Sequence, residues 1–477
     1  MNRMNYFLNN IPAERLPMYP AQEGLVLPAR NNHAAPARSR QAFPPQIGRD
    51  IPAQSSRGAS YENMRLHGAQ VGTQTGRLRV RVFTPNMAPV ANASVIISLA
   101  SLPDQIQEQL TTDASGMTEE VELPAPSPEY SLEPSTVQPY AEYTVRITAD
   151  NYTPATIQNV EIFPNITAIQ EAVLRPVSPE TEAQLYVIPP HTLYGDYPPK
   201  IAEAEVKSTA ETGEIVLTEV VIPEYIVVHD GPPTDTTAAN HYVRYRDYIK
   251  NVASSEIYST WPEETIKANI LAIQSFTLNR VFTEWYRNQG FNFTVTSSTA
   301  FDHKWIPGRN IFSNIGLIVD QLFNNYLSRP NVKQPILTQY CDGRKVQCPN
   351  WMTQWGSKDL GDQGMSAIDI LKNFYGNSIY INSAAEVAGV PVSWPGSDLN
   401  IGASGGNVRT IQEQLNRISD TYTAIPKVAV NSQYNQQTSD AVKAFQQTFD
   451  LPETGVVDFA TWYKISAIYV AVSRIAE

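Results

Sequence analysis

The chain has 477 residues, of which 42% are hydrophobic and 17% charged, with 47 acidic against 35 basic side chains for a net charge of −12. That balance argues against nucleic acid, whose binding rests on neutralising phosphates with Lys and Arg. No apolar run approaches the ~20 residues needed to cross a bilayer, and two cysteines exclude a disulfide scaffold or a four-cysteine zinc site.

The first 75 residues read as a disordered, Pro-rich basic arm. Residues 1–70 hold eight Arg, no Lys and four acids, net +4, which leaves −16 on the rest of the chain. Pro recurs among small polar residues without an apolar period, so too little surface could be buried to offset ordering entropy. The start of the chain lacks a continuous apolar segment, and no ordinary secretory signal is expected.

Residues 76–176 carry strand rhythm. Gly76-Arg-Leu-Arg-Val-Arg-Val-Phe83 alternates polar and apolar, as a half-buried strand does. Pro89–Ile97, Tyr143–Ile147, Val160–Phe163 and Ala172–Leu174 follow, with a turn at Thr112-Asp-Ala-Ser-Gly116. The spacing predicts a small all-β sandwich, and the order resembles carboxypeptidase regulatory-like or Cna B-like domains. No catalytic or metal-binding grouping is visible there.

Residues 177–200 read as a linker, punctuated by Pro179, Pro189-Pro190 and Pro198-Pro199. Residues 201–395 form a mixed α+β block. Ile215–Pro223 reads as a strand. A helix is predicted from near residue 261, with Thr260-Trp-Pro-Glu263 as its capping box and Ile266, Ile270, Ile273, Thr277 and Val281 along one face; Gly290 would end it. Just upstream, Glu256 follows a small, apolar stretch and precedes Ile257, Tyr258 and Trp261. Such surroundings disfavour a charged carboxyl and raise its pKa toward that of a neutral-pH general acid; on spacing alone, a capping or salt-bridge role fits better.

A family resemblance bears on that choice. Tyr248-Ile-Lys-Asn-Val-Ala-Ser-Ser-Glu256-Ile, Trp261-Pro-Glu-Glu264 and Lys267-Ala, then Met352-Thr-Gln-Trp-Gly356 and Ile370-Leu-Lys-Asn-Phe-Tyr-Gly376, resemble the three signatures of the stage II sporulation protein D family over about residues 220–380. Its members cleave peptidoglycan glycan strands as lytic transglycosylases, and the resemblance puts the catalytic acid and base on Glu256. The family's Arg in the long helix is replaced within Ile273-Gln-Ser-Phe276. The Cys of a Cys/His zinc site is missing near His303, so no metal or other cofactor is expected, and Cys341 and Cys348 are a disulfide or two thiols. Tyr340, Asp342, Gln354, Trp355, Tyr258 and Trp261 are the candidate substrate-binding residues, with core packing the competing role for each aromatic.

From residue 404 to 477 the pattern is of short helices. Val408–Leu415, Thr438-Ser-Asp-Ala-Val-Lys-Ala-Phe-Gln446 and Leu451–Asp458 resemble the type 1 peptidoglycan-binding domain, although its usual Asp-Gly turn is Asn431-Ser-Gln-Tyr-Asn435 here. The order of domains resembles the clostridial spore cortex-lytic enzymes. That resemblance implies a spore location in the cortex or coat region, cortex glycan as substrate, and an inactive precursor cut near 174–190 by a subtilisin-like Csp protease. A non-catalytic adaptor that stimulates an amidase, and a glucosaminidase or muramidase, are the competing readings.

Overall fold

The computed structural model describes residues 74–179, 181–191, 193, 198–207 and 217–473. The predicted basic arm lies outside them except for Gln74 and Thr75, which already belong to the first strand. The architecture is multidomain and mixed α/β, ending in a helical region.

The first segment holds β1 (Gln74–Phe83), β2 (Ser94–Leu99), β3 (Ile106–Thr111) and β4 (Val121–Ala125), a single helical turn α1 (Glu129–Leu132), then β5 (Ala141–Thr148), β6 (Ala155–Ile162), β7 (Thr167–Val173) and β8 (Gln184–Val187). Two sheets result: β1 lies between β4 and β7 in one, and the other runs β3-β2-β5-β6-β8. Alternation explains the inward faces, since Leu78, Val80 and Val82 on β1 and Val95 and Ile97 on β2 are all buried. The predicted turn closes through Asp113, whose Oδ1 accepts from Ser115 N and Met117 N, while Gly116 takes a φ of +73° against the Val82 carbonyl.

Two strands come from outside the predicted β boundary. β8 belongs to the stretch read as linker, yet it pairs parallel with β6, Ala155 opposite Gln184. Further on, β13 (Ile311–Phe312) joins the edge of β7. Both cover sheet edges whose free N–H and C=O groups would otherwise face water.

The middle segment contains β9 (Val221–Ile222), β10 (Tyr225–His229), β11 (Asn240–Arg244), α2 (Tyr245–Glu256), α3 (Glu263–Phe282), β12 (Val295–Thr296), β13, α4 (Ser313–Leu322), β14 (Asn325–Ser328), β15 (Tyr340–Cys341), β16 (Met352–Thr353), α5 (Gln354–Asp362), α6 (Ala367–Tyr375), β17 (Tyr380–Ser383) and β18 (Glu386–Val387). The strand expected over Ile215–Pro223 is, among the described residues, only β9. Helix α3 is central and buried on all sides: 16 of its 20 residues are inside, including polar Asn269, Gln274, Ser275 and Arg280. The predicted apolar stripe is therefore one side of a helix packed against α2, α4, α5, α6 and β14.

The capping box does not form. Pro262 is the N-cap, with no side-chain bond to the first amides, and the Thr260 hydroxyl instead donates to Ser131 Oγ at 2.7 Å. Beside it, Trp261 Nε1 donates to the Ser131 carbonyl at 2.9 Å. A tertiary partner on α1 thus took the group that a local cap would have used. The helix also stops earlier than expected, at Phe282; Gly290, φ +88°, closes a separate 3-10 turn over Arg287–Gln289.

The last segment has α7 (Gly406–Ser419), α8 (Gln436–Thr448) and α9 (Phe459–Ser473), built around Ile411, Leu415, Phe445 and Trp462. The altered turn is closed by other means. Ser432 adopts a φ of +62°, Gln412 Oε1 accepts from Asn431 N and Ser432 N, and Asn435 caps α8 by accepting from Thr438 N at 3.0 Å.

The segments are cross-linked. Arg79 pairs with Asp450 at 2.8 Å, and Tyr422 donates to the Met87 carbonyl at 2.6 Å. Deepest is the pair of Arg309 with Glu161 at 2.6 Å, between the middle segment and β6, with His191 Nδ1 2.9 Å from the same guanidinium nitrogen. Burial pushes the Glu161 carboxyl up, but Arg309 and His191 outweigh it and hold it below the ordinary range. Burial lowers His191 to about 4, so it is neutral at pH 7. Removing one partner would leave a charge buried without compensation. Arg309→Met should cost about 3–5 kcal/mol in urea denaturation of the whole chain, and adding Glu161→Gln should restore most of it.

Candidate functional site

Helix α2 ends at Glu256, and the end is well determined. Ile257 leaves the helix with φ −134° and ψ 156°, its amide donating to the Ala253 carbonyl. Across from it, Asn251 clamps a loop of the middle segment: its Nδ2 donates to the Ile306 carbonyl at 2.7 Å and its Oδ1 accepts from Ile306 N at 2.9 Å. That clamp brings the Lys304 amide to Glu256 Oε1 at 2.6 Å. The other carboxylate oxygen, Oε2, accepts from the Tyr340 hydroxyl. Tyr340 sits on β15, its ring stacked on His303 with centroids 5.8 Å apart and planes 13° from parallel. His303 in turn meets the Tyr248 hydroxyl through Nδ1 at 3.0 Å.

The Glu256 side chain lines a small cavity of about 60 Å³, together with Ser255, Lys304, Tyr340, Asp342 and Gln354, and with Leu193, Pro198 and Lys200 from the predicted linker. Glu256 is only 8% exposed. Burial raises its pKa above the ordinary carboxylate value, and the pull of Lys200, the Tyr340 hydroxyl and the Lys304 amide only partly offsets this. A carboxyl group so placed keeps its proton to higher pH than an exposed one does, and can donate it to a ligand in the cavity.

The predicted substrate residues divide. Tyr340, Asp342 and Gln354 line the cavity with Glu256; Tyr258, Trp261 and Trp355 do not. Those three aromatics pack on one another behind it, each 3% exposed or less, with Trp261 and Trp355 ring centroids 5.1 Å apart. No ring face among them is open for a sugar to stack on: Tyr258 also packs against Phe163 and His191, and Trp261 is held to Ser131. The Tyr258 hydroxyl does reach the Leu193 amide, at 3.3 Å. Gln354 spends its amide nitrogen on the Glu256 carbonyl at 2.8 Å, which makes it a brace for the end of α2. Asp342 keeps one oxygen available: Oδ1 accepts from Arg344 N and Val346 N, whereas Oδ2 is buried with no partner among the described residues.

Cys341 and Cys348 form a disulfide, closing the loop that carries Asp342. Among the described residues no group of His, Cys, Asp and Glu is arranged to hold a metal. Where the resemblance has an Arg in the long helix this chain has Gln274, fully buried with neither amide atom partnered among the described residues. The buried cation of α3 is Arg280. It donates from Nε to Asp302 at 2.7 Å and from both terminal nitrogens to Glu203 at 2.8 and 2.6 Å.

Lys200, Lys304 and Leu193 are cavity residues that the sequence reading passed over. Nothing in local spacing distinguishes them, since Leu193 and Lys200 come to the cavity from the predicted linker and Lys304 from a loop more than 100 positions further on.

Three comparisons with known proteins follow from this geometry. The peptidoglycan binding domain family matches residues 404–465, the stretch that contains α7, α8 and the start of α9. Against the curated proteins the chain has no match. Among solved structures it is similar to the Bacillus anthracis TIE protein, at 16% identity over 22% of this chain and 17% of that one, TM-score 0.16. It is also similar to catechol 1,2-dioxygenase from Acinetobacter sp. ADP1, at 15% identity over 25% and 60%, TM-score 0.17. A cohesin–X-dockerin complex from Acetivibrio cellulolyticus matches at 19% identity over 21% and 56%, TM-score 0.13. The chain spans less than two thirds of the length of each of these structures, and TM-scores this low carry no inference about fold or function.

Two outcomes are expected. Glu256 has a native-state pKa above its unfolded value, so its ionisation opposes folding, and the penalty grows as pH rises through the native value. Glu256→Gln should therefore melt higher than the parent at about pH 8, with the gap closing as pH falls toward the unfolded-state value of about 4.3, read by calorimetry across pH. Replacing both Cys341 and Cys348 by Ser should cost about 2 kcal/mol in denaturation, the loop-closure entropy of a short ring.

Proposed function

We propose that this protein is a peptidoglycan-cleaving lytic transglycosylase of the SleC type, made as a precursor, with Glu256 as its acid and base. The carrying observation is the Glu256 carboxyl, buried at a helix end, raised in pKa and facing a cavity. Wall binding is independently supported by the family match at residues 404–465.

The chemistry needs one carboxyl group. Protonated Glu256 donates to the glycosidic oxygen between muramic acid and glucosamine as that bond breaks. Its carboxylate then accepts the proton of the muramic C6 hydroxyl, whose oxygen closes on C1 to form a 1,6-anhydro ring. No water is consumed, and Glu256 ends protonated as it began. Acid–base assistance of this kind contributes about 10²–10⁴-fold. Asp342 Oδ2 is the acceptor suited to a sugar hydroxyl, and the Tyr340 hydroxyl steadies the carboxylate between the two steps.

The precursor reading draws on the cavity size. The cavity is small, about 60 Å³. Leu193 and Pro198 form part of its wall, so the segment joining the β region to the middle must shift before a glycan can enter. Arg175–Pro179, just upstream, is exposed and open to a protease. A spore-cortex location, a cortex glycan substrate and a subtilisin-like Csp protease as activator complete the proposal.

The deciding experiment incubates cortex peptidoglycan with the full chain, intact and after limited proteolysis, and identifies soluble products by mass spectrometry. Anhydro-muropeptides should form much faster with the nicked chain and be absent with Glu256→Gln. Free reducing ends would mean a hydrolase, a glucosaminidase or muramidase. Retention of the polymer without cleavage would mean an adaptor that acts through another enzyme, and equal rates before and after nicking would remove the precursor reading.

A further inference from the structure

Lys200 reaches the Glu256 cavity from a stretch whose composition marks it only as linker, and the middle segment grips that stretch at several points. Ile201 N donates to the Ala300 carbonyl at 2.8 Å, and the Ile201 carbonyl accepts from Gln339 Nε2 at 2.6 Å. Two residues on, Glu203 N donates to Gln339 Oε1 at 2.9 Å, and the Glu203 carboxylate takes the Arg280 fork. The backbone beside Lys200 is thus pinned on its C-terminal side by groups from β15's approach, α3 and the Ala300 loop.

The ammonium itself is aimed inward. It donates to the Asp302 carbonyl and lies 5.1 Å from the Phe276 ring centroid and 5.0 Å from that of Tyr340. Among the described residues it makes no ion pair with a carboxylate, although Arg280, close by, takes two. Tyr340, whose ring carries the ammonium, is the residue that donates to Glu256. The ring faces attract the cation electrostatically, and its charge acts on two buried carboxyls, those of Glu256 and Asp302.

We propose that Lys200 is a positioning residue of the cleft, the fixed counter-charge against which the Glu256 carboxyl gains and loses its proton. The inference rests on Glu256 serving as acid and base, and assigns Lys200 the task of keeping both of its states accessible. Without an opposing cation, a carboxyl group buried this far stays protonated and cannot accept the C6 proton in the second step; with a direct ion pair it would stay ionised and could not donate in the first. A cation held one ring away serves both. Burial lowers the proton affinity of Lys200, and the charges of Glu256 and Asp302 work against that.

Other charged and titratable groups face the pair. Lys304 and Asp342 share the cavity wall, Tyr340 and Tyr248 flank the carboxyl, and His303, Arg280, Asp302 and Glu203 surround Lys200. His303 is held neutral by burial, with Lys200 and Arg280 adding to the effect. The Arg280 charge is balanced locally by Asp302 and Glu203. Lys200 acts on Glu256 more strongly than Lys304 does, and among the described residues its removal breaks no salt bridge.

The test is an infrared titration of the full chain, following the carbonyl stretch of protonated Glu256, assigned by its loss in Glu256→Gln. In Lys200→Met the midpoint should rise by about one to two pH units, the usual effect of losing an opposite charge at this range, and Lys200→Arg should leave it near the parent's. Lys200→Gln provides a second neutral variant should the first fold poorly. An unmoved midpoint in the neutral variants, or an equal rise in Lys200→Arg, would overturn the proposal. The readout does not depend on turnover. Cleavage surviving Glu256→Gln would therefore overturn the acid assignment separately, while a moved midpoint would stand as a measured coupling.

Discussion

Much of the site depends on one guanidinium taken wholly out of water. Arg280 is 1% exposed in the middle of the protein, and a charge so buried is tolerated only when its donors are met. Asp302 meets one edge and Glu203 the other. Asp302 also accepts from Tyr286 and from the amide and hydroxyl of Thr296, so all of its oxygen capacity is turned to one place. Satisfying Arg280 therefore fixes the loop that carries His303 and Lys304, and through Glu203 the stretch that carries Lys200. Each of these residues faces Glu256 or its partner Tyr340. The candidate acid is set by a network in which it takes no direct part.

A second constraint joins the β region to the rest. Its sheets end in edges that the middle segment and the linker complete, and its α1 turn receives Thr260 and Trp261 next to the end of α2. Arg309 ties Glu161 of the β region to the Ser254 carbonyl, two residues before Glu256. Coupling of this kind gives the β region a mechanical hold on the cavity. The same region contacts the wall-binding segment through Arg79 and Asp450. Parts that differ in task are thereby held in one arrangement.

The cavity chemistry and the wall-binding match are complementary in scale. Attachment through the helical unit that matches the peptidoglycan-binding family would hold the rest of the chain on an insoluble polymer, raising the local concentration of that polymer without new contacts at the cavity.

What the sequence determined by itself was what local rules govern. Period-two alternation placed β1, the 3.6-residue period placed α7 and α8, and the small, apolar run before Glu256 marked it as a carboxyl with disfavoured charge. These patterns arise between residues a few positions apart, so one strand of text contains them. Only the tertiary structure decided that Thr260 bonds to Ser131 instead of capping α3, that Gln184–Val187 completes a sheet, and that Trp261 and Trp355 lie behind the cavity. The arrival of Lys200, Lys304 and Tyr340 at one carboxylate belongs to the same class. Those contacts join residues from 29 to 129 positions apart, and no periodicity carries across such distances. They are chosen by which buried donors and acceptors remain to be met once the core has closed.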